Sequence, residues 1–262
     1  MLLGFYELFS IINNSKHING ANGDLFGNTN DSASYKRKYK QEDIDFVTSY
    51  FSRGFNVSLL NGIMRDLFEL SFNAFDNILH AWLSELPVER EIIAFGKKVI
   101  AVSINADSSE KKRATAEKAA SDRLDSDTLA VINAMAKVYR ETDRMMGLLR
   151  FSPNDNGEFI ARCEPDHFIL PALSEYFTSR FGETSWSVID EKRRLCLRRH
   201  NGEKAKIFLL NSENVMKSAV NNDEWEELWK HYHKIINNED RNNPGLQRQL
   251  MPQRYWKYLP EK

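Results

Sequence analysis

The sequence has few of the residues that build metal centres and disulfide frameworks. It contains only two cysteines, Cys163 and Cys196, which exclude a disulfide framework and a four-iron cluster held by cysteine alone. His231 and His233 lie two positions apart on a predicted helix and therefore on different faces, so they do not form a metal pair. No glycine-rich Walker loop and no dinucleotide fingerprint occurs. We therefore assign no metal ligands from the sequence.

An excess of charge of one sign and a long hydrophobic run are also missing. Lys and Arg total 36 against 37 Asp and Glu, which gives a net charge of −1. Any nucleic-acid binding would therefore need a local basic patch. No run approaches the roughly 20 apolar residues of a membrane span. The opening "MLLGFYELFSII" contains Glu7 and follows no basic stretch, which predicts a folded helix or strand and not a secretion signal. We expect a cytoplasmic protein without a membrane segment.

Composition and periodicity divide the chain into three regions. Residues 1–40 are predicted to be a mobile N-terminal segment, because 13–34 are rich in Asn, Gly and Ser and have no periodicity. Residues 41–146 are mainly helical, although the polar stretch 105–123 is expected to be partly helical at best. Residues 147–262 are α+β with a C-terminal helix and a basic, aromatic tail. We expect this last region to form one compact unit with 41–146.

The α+β region is expected to contain a small antiparallel sheet. Strand patterns flank the turn "NDNG", a further strand "SWSVID" follows a short helix, and Asn201-Gly202 predicts a hairpin because both central residues of a type I′ turn need positive φ. A two-residue loop would place Leu195, Leu197, Phe208 and Leu210 on one face, and Arg194, Arg198 and His200 on the other. The fold class is therefore α+β, a small antiparallel sheet with a hairpin, flanked by N-terminal and C-terminal helices.

Four segments together resemble one bacterial family: "GLLRF", "CEPDHFILPALSEYFTSRF", "WSVIDEKR" and "RNNPGLQRQLMPQRYWKYLPE", within residues 75–261. The family has no known function and is labelled a probable DNA metabolism or repair protein. The resemblance implies DNA as a partner, together with a radical SAM protein that acts on DNA and is encoded beside family members. Some members are fused to a uracil-DNA glycosylase domain.

Polar side chains at two predicted strand ends form a candidate catalytic site. They are Glu164, Asp166, His167 and Asp190, beside Glu191 and Arg193. Carboxylates at strand ends could bind a divalent cation such as Mg²⁺, and the histidine could transfer a proton near neutral pH. The structural alternative is that Asp166 caps the following helix and that Asp190 pairs with Arg193.

Eight arginines are candidates for nucleic-acid binding: Arg150, Arg180, Arg193, Arg194, Arg198, Arg241, Arg248 and Arg254. On the hairpin they stand with Arg199, His200, Lys204 and Lys206, and could follow a phosphate backbone. The alternative is a solvated edge whose charges prevent strand pairing. In the tail, Tyr255, Trp256 or Tyr258 could stack on a base. We favour packing for these aromatic side chains, Trp256 in particular, and outward-facing arginines.

Three functions remain open at this level. The first is a nucleic-acid-binding accessory protein of bacterial DNA repair or modification, acting with a radical SAM enzyme. The second is a metal-dependent or acid–base enzyme that acts on a nucleotide or a damaged base. The third is a non-catalytic scaffold for a partner enzyme.

Overall fold

The computed structural model describes residues 4–14, 39–60, 62–104, 107–154, 156–210, 224–236 and 243–260. The chain divides into two units. The first comprises residues 1–46 and 56–139, and the second comprises residues 47–55 and 140–262. Within the described residues, no helix has both the length and the apolar character needed to cross a membrane.

The first unit is helical. Its elements are α1 (Phe5–Asn14), α2 (Gln41–Tyr50, shared with the second unit), α3 (Gly62–Leu70), α4 (Phe72–Leu83), α5 (Glu89–Ile104), α6 (Ser109–Ala120) and the start of α7 (Ser126–Leu148). Apolar residues at helical spacing build its core, where the Phe5 ring lies 5.4 Å from the rings of both Phe46 and Trp82.

Helix α1 lies inside the segment that the sequence suggests is mobile. Its Phe5, Leu8, Phe9 and Ile12 are all buried, so residues 5–14 are a folded helix, as the apolar opening of the chain predicts. The rest of the predicted loop, from residue 15 to residue 34, lies outside the described residues.

The stretch 105–123, expected to be partly helical at best, contains a helix of 12 residues, α6, at positions 109–120. The Ser108 hydroxyl caps this helix by accepting the N–H of Lys111 at 3.3 Å. Ala116, Ala119 and Ala120 are buried and pack toward α5. Small side chains allow close packing of helices, so a stretch that looks too polar to fold forms a complete helix.

The second unit is built on a five-stranded sheet in the order β1-β2-β3-β4-β5. The strands are β1 (Ser152–Pro153), β2 (Phe159–Cys163), β3 (Trp186–Asp190), β4 (Leu195–Arg199) and β5 (Lys206–Leu209), with helix α8 (Leu170–Phe181) between β2 and β3. Helices α9 (Glu224–Ile236) and α10 (Pro244–Leu250) and a 3₁₀ helix (Gln253–Tyr258) follow the sheet. The α+β class with flanking helices is therefore confirmed.

One strand pair departs from the antiparallel expectation. Strands β2 and β3 are parallel, whereas the other three pairs are antiparallel. A parallel pair needs a crossover connection, and α8 supplies it. The apolar stripe of α8 includes the buried Leu173 and Phe177, and the helix packs against β3 and β4. Gly182 follows the helix at φ 58°, a backbone conformation that favours glycine.

The predicted register of the hairpin is wrong by one residue. Asn201 and Gly202 have the expected positive φ values of 42° and 76°. However, the ladder pairs Leu195 with Leu209 and Arg198 with Lys206, so strand β5 is turned over. Ile207 is consequently buried, whereas Phe208 is 49% exposed on the opposite face. The dihedral angles of the turn are as predicted, but strand pairing begins farther from the turn than it does in a hairpin with a two-residue loop.

Candidate functional site

The two predicted strand-end segments meet at one edge of the sheet. Strands β2 and β3 run parallel and in register up to the pair Cys163 and Asp190. The segments "EPDH" and "DEKR" therefore leave the sheet side by side. This arrangement brings the four candidate catalytic residues into one region of the second unit.

Asp190 is a buried partner of Arg193. Its side chain is fully buried, and its Oδ2 lies 2.8 Å from the Arg193 guanidinium. The Arg193 N–H also donates to Asp190 Oδ1 at 3.0 Å. The same guanidinium donates to the carbonyl oxygens of Pro165 (3.0 Å) and Asp166 (2.7 Å). Arg193 therefore ties the two segments together. This agrees with the structural alternative for Asp190. The guanidinium of Arg193, a candidate for phosphate binding, is engaged in these contacts.

A buried carboxylate that the sequence analysis missed lies beneath this region. Glu141 of α7 is 3% exposed and accepts the N–H groups of Asp166 and His167, both at 2.8 Å. The signal was present in the sequence, because Glu141 stands on the helix face of the buried Val138 and Met145, at steps of three and four residues. A charged residue on an apolar stripe indicates a buried polar partner.

The C-terminal tail supplies a partner to four of the acidic side chains at this edge, Glu141, Glu164, Asp166 and Glu191. Arg254 Nη2 lies 2.5 Å from Asp166 Oδ2, so Asp166 pairs with the tail and does not cap α8, whose N-terminus has no side-chain cap. The remaining contacts are Lys257 to Glu164 (2.8 Å), the Tyr258 hydroxyl to Glu191 (2.8 Å), and the Tyr255 hydroxyl to Glu141. The tail 3₁₀ helix is thus fastened through complementary charges and hydroxyls.

The two tail tyrosines are held in their protonated form. Burial, followed by the adjacent Glu141 carboxylate, raises the pKa of Tyr255 far above its ordinary value. Burial and the Glu191 carboxylate likewise raise the pKa of Tyr258. Both hydroxyls therefore remain hydrogen-bond donors to carboxylates over the whole physiological pH range.

In the tail, Tyr255 is more deeply buried than Trp256, the residue for which the sequence most favours packing. Tyr255 and Leu259 are 2% and 4% exposed, whereas Trp256 is only half-buried. The indole N–H of Trp256 donates to the Met251 carbonyl at 2.9 Å. Arg254 is exposed, as expected, but its guanidinium is engaged with Asp166 and lies 3.7 Å from Glu141.

The strand-end region therefore links the sheet to the tail through ion pairs and hydrogen bonds. Its carboxylates are engaged by cations or hydroxyls at hydrogen-bond distance. Within the ranges that the structure describes, no group of three or more His, Cys, Asp and Glu side chains is arranged to hold a metal ion. The geometry gives these residues a clear structural use.

A second polar region lies on the outer face of the β4–β5 hairpin. It is a shallow depression of about 430 Å³, lined by Cys196, Arg198, His200, Glu203, Lys204, Lys206, Phe208 and Leu210. Arg198 and Lys206 are direct cross-strand partners. Arg198 also forms an ion pair with Glu158 at 2.9 Å. Burial raises the pKa of the Cys196 thiol to about 11, so this side chain is a neutral thiol and adds no negative charge to the depression.

The cations of the hairpin do not all face this depression. Arg199 points to the opposite face, is 6% exposed, and donates from Nε to the Glu203 carbonyl at 2.8 Å and from Nη1 to the Gly182 carbonyl. It therefore supports the turn and is removed from the proposed phosphate-binding set. Arg194 is exposed at the β3–β4 turn, with φ at 56°.

A third region brings Arg150 and Arg180 together. Both line a cleft of about 570 Å³ in the second unit. The Arg150 guanidinium donates to the Gly147 carbonyl at 2.9 Å and lies 5.6 Å from the centre of the Trp229 ring. Arg180 approaches the Tyr176 hydroxyl at 3.4 Å. Of the other candidate arginines, Arg248 is exposed on α10, and Arg241 lies outside the described residues.

Residues 100–261 match the family model of DUF4130, a domain of unknown function. The match covers more than half of the chain, so the chain belongs to this family. The comparison with curated proteins gave no match, and neither did the comparison with solved structures.

Proposed function

We propose that this member of the family binds nucleic acid as an accessory protein of bacterial DNA repair or modification, and that it works with a radical SAM enzyme. The observation that carries the binding proposal is the concentration of positive charge on the hairpin. Of the seven Lys and Arg in residues 192–206, Arg198, Lys204 and Lys206 line the depression together with a single acid, Glu203, in a chain whose net charge is −1. Local excess of this kind is the electrostatic footprint expected of a polyanion-binding surface.

The register of the hairpin is a second reason to expect that this face binds an anion. Like charges directly opposite each other in an antiparallel pair destabilise the sheet, and Arg198 stands opposite Lys206. Lys204 and His200 lie beside them in the same depression. Glu158 offsets the charge of Arg198, which leaves the two lysines to attract an anion. A phosphate backbone in the depression would relieve the repulsion and release its own counterions.

The role in repair and the radical SAM partner are supported by the family resemblance given above. The enzyme alternative draws no support from the contacts of Glu164, Asp166 and Asp190, because each of them is engaged by Lys257, Arg254 or Arg193. For the scaffold alternative, the described surface offers no distinguishing contact.

Reversing charge in the depression tests the proposal. Lys204 and Lys206 are exposed, so Lys204→Glu with Lys206→Glu is expected to leave the fold intact. Binding of a fluorescently labelled 12-nucleotide single strand and of the matching duplex would be followed by anisotropy from low to physiological salt. We expect affinity to fall by about tenfold or more. The salt slope on single strands should decrease by about 0.7 for each phosphate that the variant no longer neutralises.

The matched control is Lys111→Glu with Arg113→Glu on α6, which makes the same charge change in the first unit at two exposed positions. This control is expected to bind as the unmodified chain does. Failure of the unmodified chain to bind either oligonucleotide at low salt would contradict the proposal. An equal loss of affinity in both double variants would show that only net charge matters.

A further inference from the structure

The cleft of Arg150 and Arg180 has a composition unlike that of the two other polar regions. Its wall contains two guanidinium groups and the aromatic rings of Phe151, Tyr176, Phe181 and Trp229. None of the described residues that line it is acidic. Arg150 lies against the Trp229 ring and the Gly147 carbonyl, and Arg180 lies near the Tyr176 hydroxyl.

We propose that this cleft binds one nucleotide, with its base against the aromatic rings and its phosphate at the arginines. The inference rests on the proposed function for one source of that nucleotide, an unstacked residue of a nucleic-acid strand. Free mononucleotide presents the same chemistry. Every base has a π-face that can stack on an aromatic side chain, and guanidinium binds phosphate through a fork of parallel N–H donors.

The rings are held in place from behind. Phe151 lies 4.9 Å from the buried Phe177 and 4.8 Å from Phe181, as measured between ring centres. This cluster continues into the core, where Phe177 lies 5.9 Å from Trp186. The inner wall is therefore rigid, and stacking on it costs little ordering of side chains.

The outer wall is accessible and carries the polar groups. Tyr176 and Trp229 are 38% and 37% exposed, and Arg180 is exposed beside them. Arg150 is oriented by the Gly147 carbonyl at the end of α7. Two arginines are thus placed at the cleft, where a phosphate attached to a stacked base would lie.

The size of the cleft separates a nucleotide from larger ligands. A volume of about 570 Å³ lies within the range of small-molecule sites, about 300–1,000 Å³. A double helix, which keeps its bases stacked, cannot present a base to such a cleft without extruding it. The site therefore favours single-stranded or locally unpaired nucleic acid.

The test compares bases with backbone, on the full chain. A labelled 12-nucleotide thymidine strand and a strand of the same length with abasic tetrahydrofuran residues would be titrated in parallel, and thymidine monophosphate would be titrated by calorimetry. We expect the abasic strand to bind about 5- to 150-fold more weakly, which is the range for the loss of one stacked base.

Two variants at accessible positions localise the effect. Tyr176→Ala is expected to remove most of the difference between the two strands, because it removes a stacking ring. Arg180→Ala is expected to weaken both strands, because its guanidinium would contact the phosphate that both strands keep. Arg123→Ala, at an exposed position of the first unit, serves as the charge-matched control and should retain the difference. Lys204→Glu with Lys206→Glu should weaken both strands by the same factor, because these lysines would contact only the backbone.

The outcomes distinguish this inference from the proposed function. Equal binding of both strands by the unmodified chain would overturn the nucleotide cleft while leaving backbone binding intact. Absence of strand binding, together with monophosphate binding that Arg180→Ala and Tyr176→Ala abolish, would support the cleft as a site for free nucleotide and would overturn the proposed function. Absence of binding to strands and monophosphate alike would overturn both.

Discussion

Removing the Glu141 carboxylate is expected to release the C-terminal tail. Glu141→Ala would leave two backbone N–H groups, those of Asp166 and His167, and the Tyr255 hydroxyl without their acceptor. The region is buried, since Glu141 is 3% exposed and Tyr255 is 2% exposed. Water therefore cannot easily replace the carboxylate as an acceptor.

The magnitude follows from the number and kind of bonds. A buried hydrogen-bond donor that is left without its acceptor costs about 1–3 kcal/mol. Glu141→Ala leaves three such donors, but the three bonds act as one network and are not additive, so we expect a loss near the upper end of that range, about 3 kcal/mol. Glu141→Gln keeps the shape but turns one acceptor into a donor, and it should cost about half as much.

Urea unfolding, followed by fluorescence, would measure the free energy of unfolding. Tryptic cleavage at Arg254 and Lys257 would report on the tail directly, and the two readouts should change together. A double-mutant cycle of Glu141→Gln with Tyr255→Phe should give a coupling energy of about 1–3 kcal/mol. Glu227→Gln is the control, because this exposed residue lies 3.7 Å from Lys230 in a surface pair that contributes at most about 1 kcal/mol. A destabilisation below about 1 kcal/mol for Glu141→Ala, or no increase in tail cleavage, would refute the reasoning.

Three further changes in stability can be measured in the same way. Burial raises the pKa of Asp43, so the folded chain holds this proton more tightly than the unfolded chain. The stability that this group contributes is therefore lost as pH rises from about 3.9 through the raised pKa of the folded chain, and Asp43→Asn should become more stable relative to the unmodified chain over that pH range. Hydrogen bonds from Thr128 lower the pKa of Asp125, the cap of α7, so Asp125→Ala should cost about 0.5–2 kcal/mol at pH 7 and progressively less as pH falls through the lowered pKa. Gly147 is helical with open space around it, and Gly147→Ala should stabilise the chain by about 0.5 kcal/mol, seen as a higher urea midpoint at constant slope.

The local features of the fold could be predicted from the sequence. The stripe containing Leu173 and Phe177 identifies α8, and Gly182 identifies its end, because side-chain period and positive φ are properties of short segments. The same holds for the cap of α7 at Asp125 and for the turn at Asn201-Gly202. These features need no information from distant residues.

Features that depend on distant partners could not be predicted. The Tyr255 hydroxyl meets Glu141 across 114 positions of sequence, and Arg254 meets Asp166 between the tail and the segment that follows β2. The stripe of α7 marks Glu141 as unusual, but only the folded chain shows that its partners are two backbone N–H groups and a tail hydroxyl. The hairpin register failed for a related reason, since inward packing of Ile207 outweighs the preference of the turn for immediate strand pairing.

The basic residues of this chain therefore fall into two groups, those paired within the fold and those on an exposed face. The tail looks basic, but Arg254 and Lys257 each have a carboxylate within 2.8 Å, so the positive charge of these two residues is offset by ion pairs within the protein. Lys204 and Lys206 stand instead on an exposed hairpin face, where Lys206 has a like charge opposite. A cation that is already paired with a carboxylate of the protein contributes little to polyanion binding, because it has few counterions to release. We therefore expect polyanion binding at the hairpin and not at Arg254 and Lys257 of the tail.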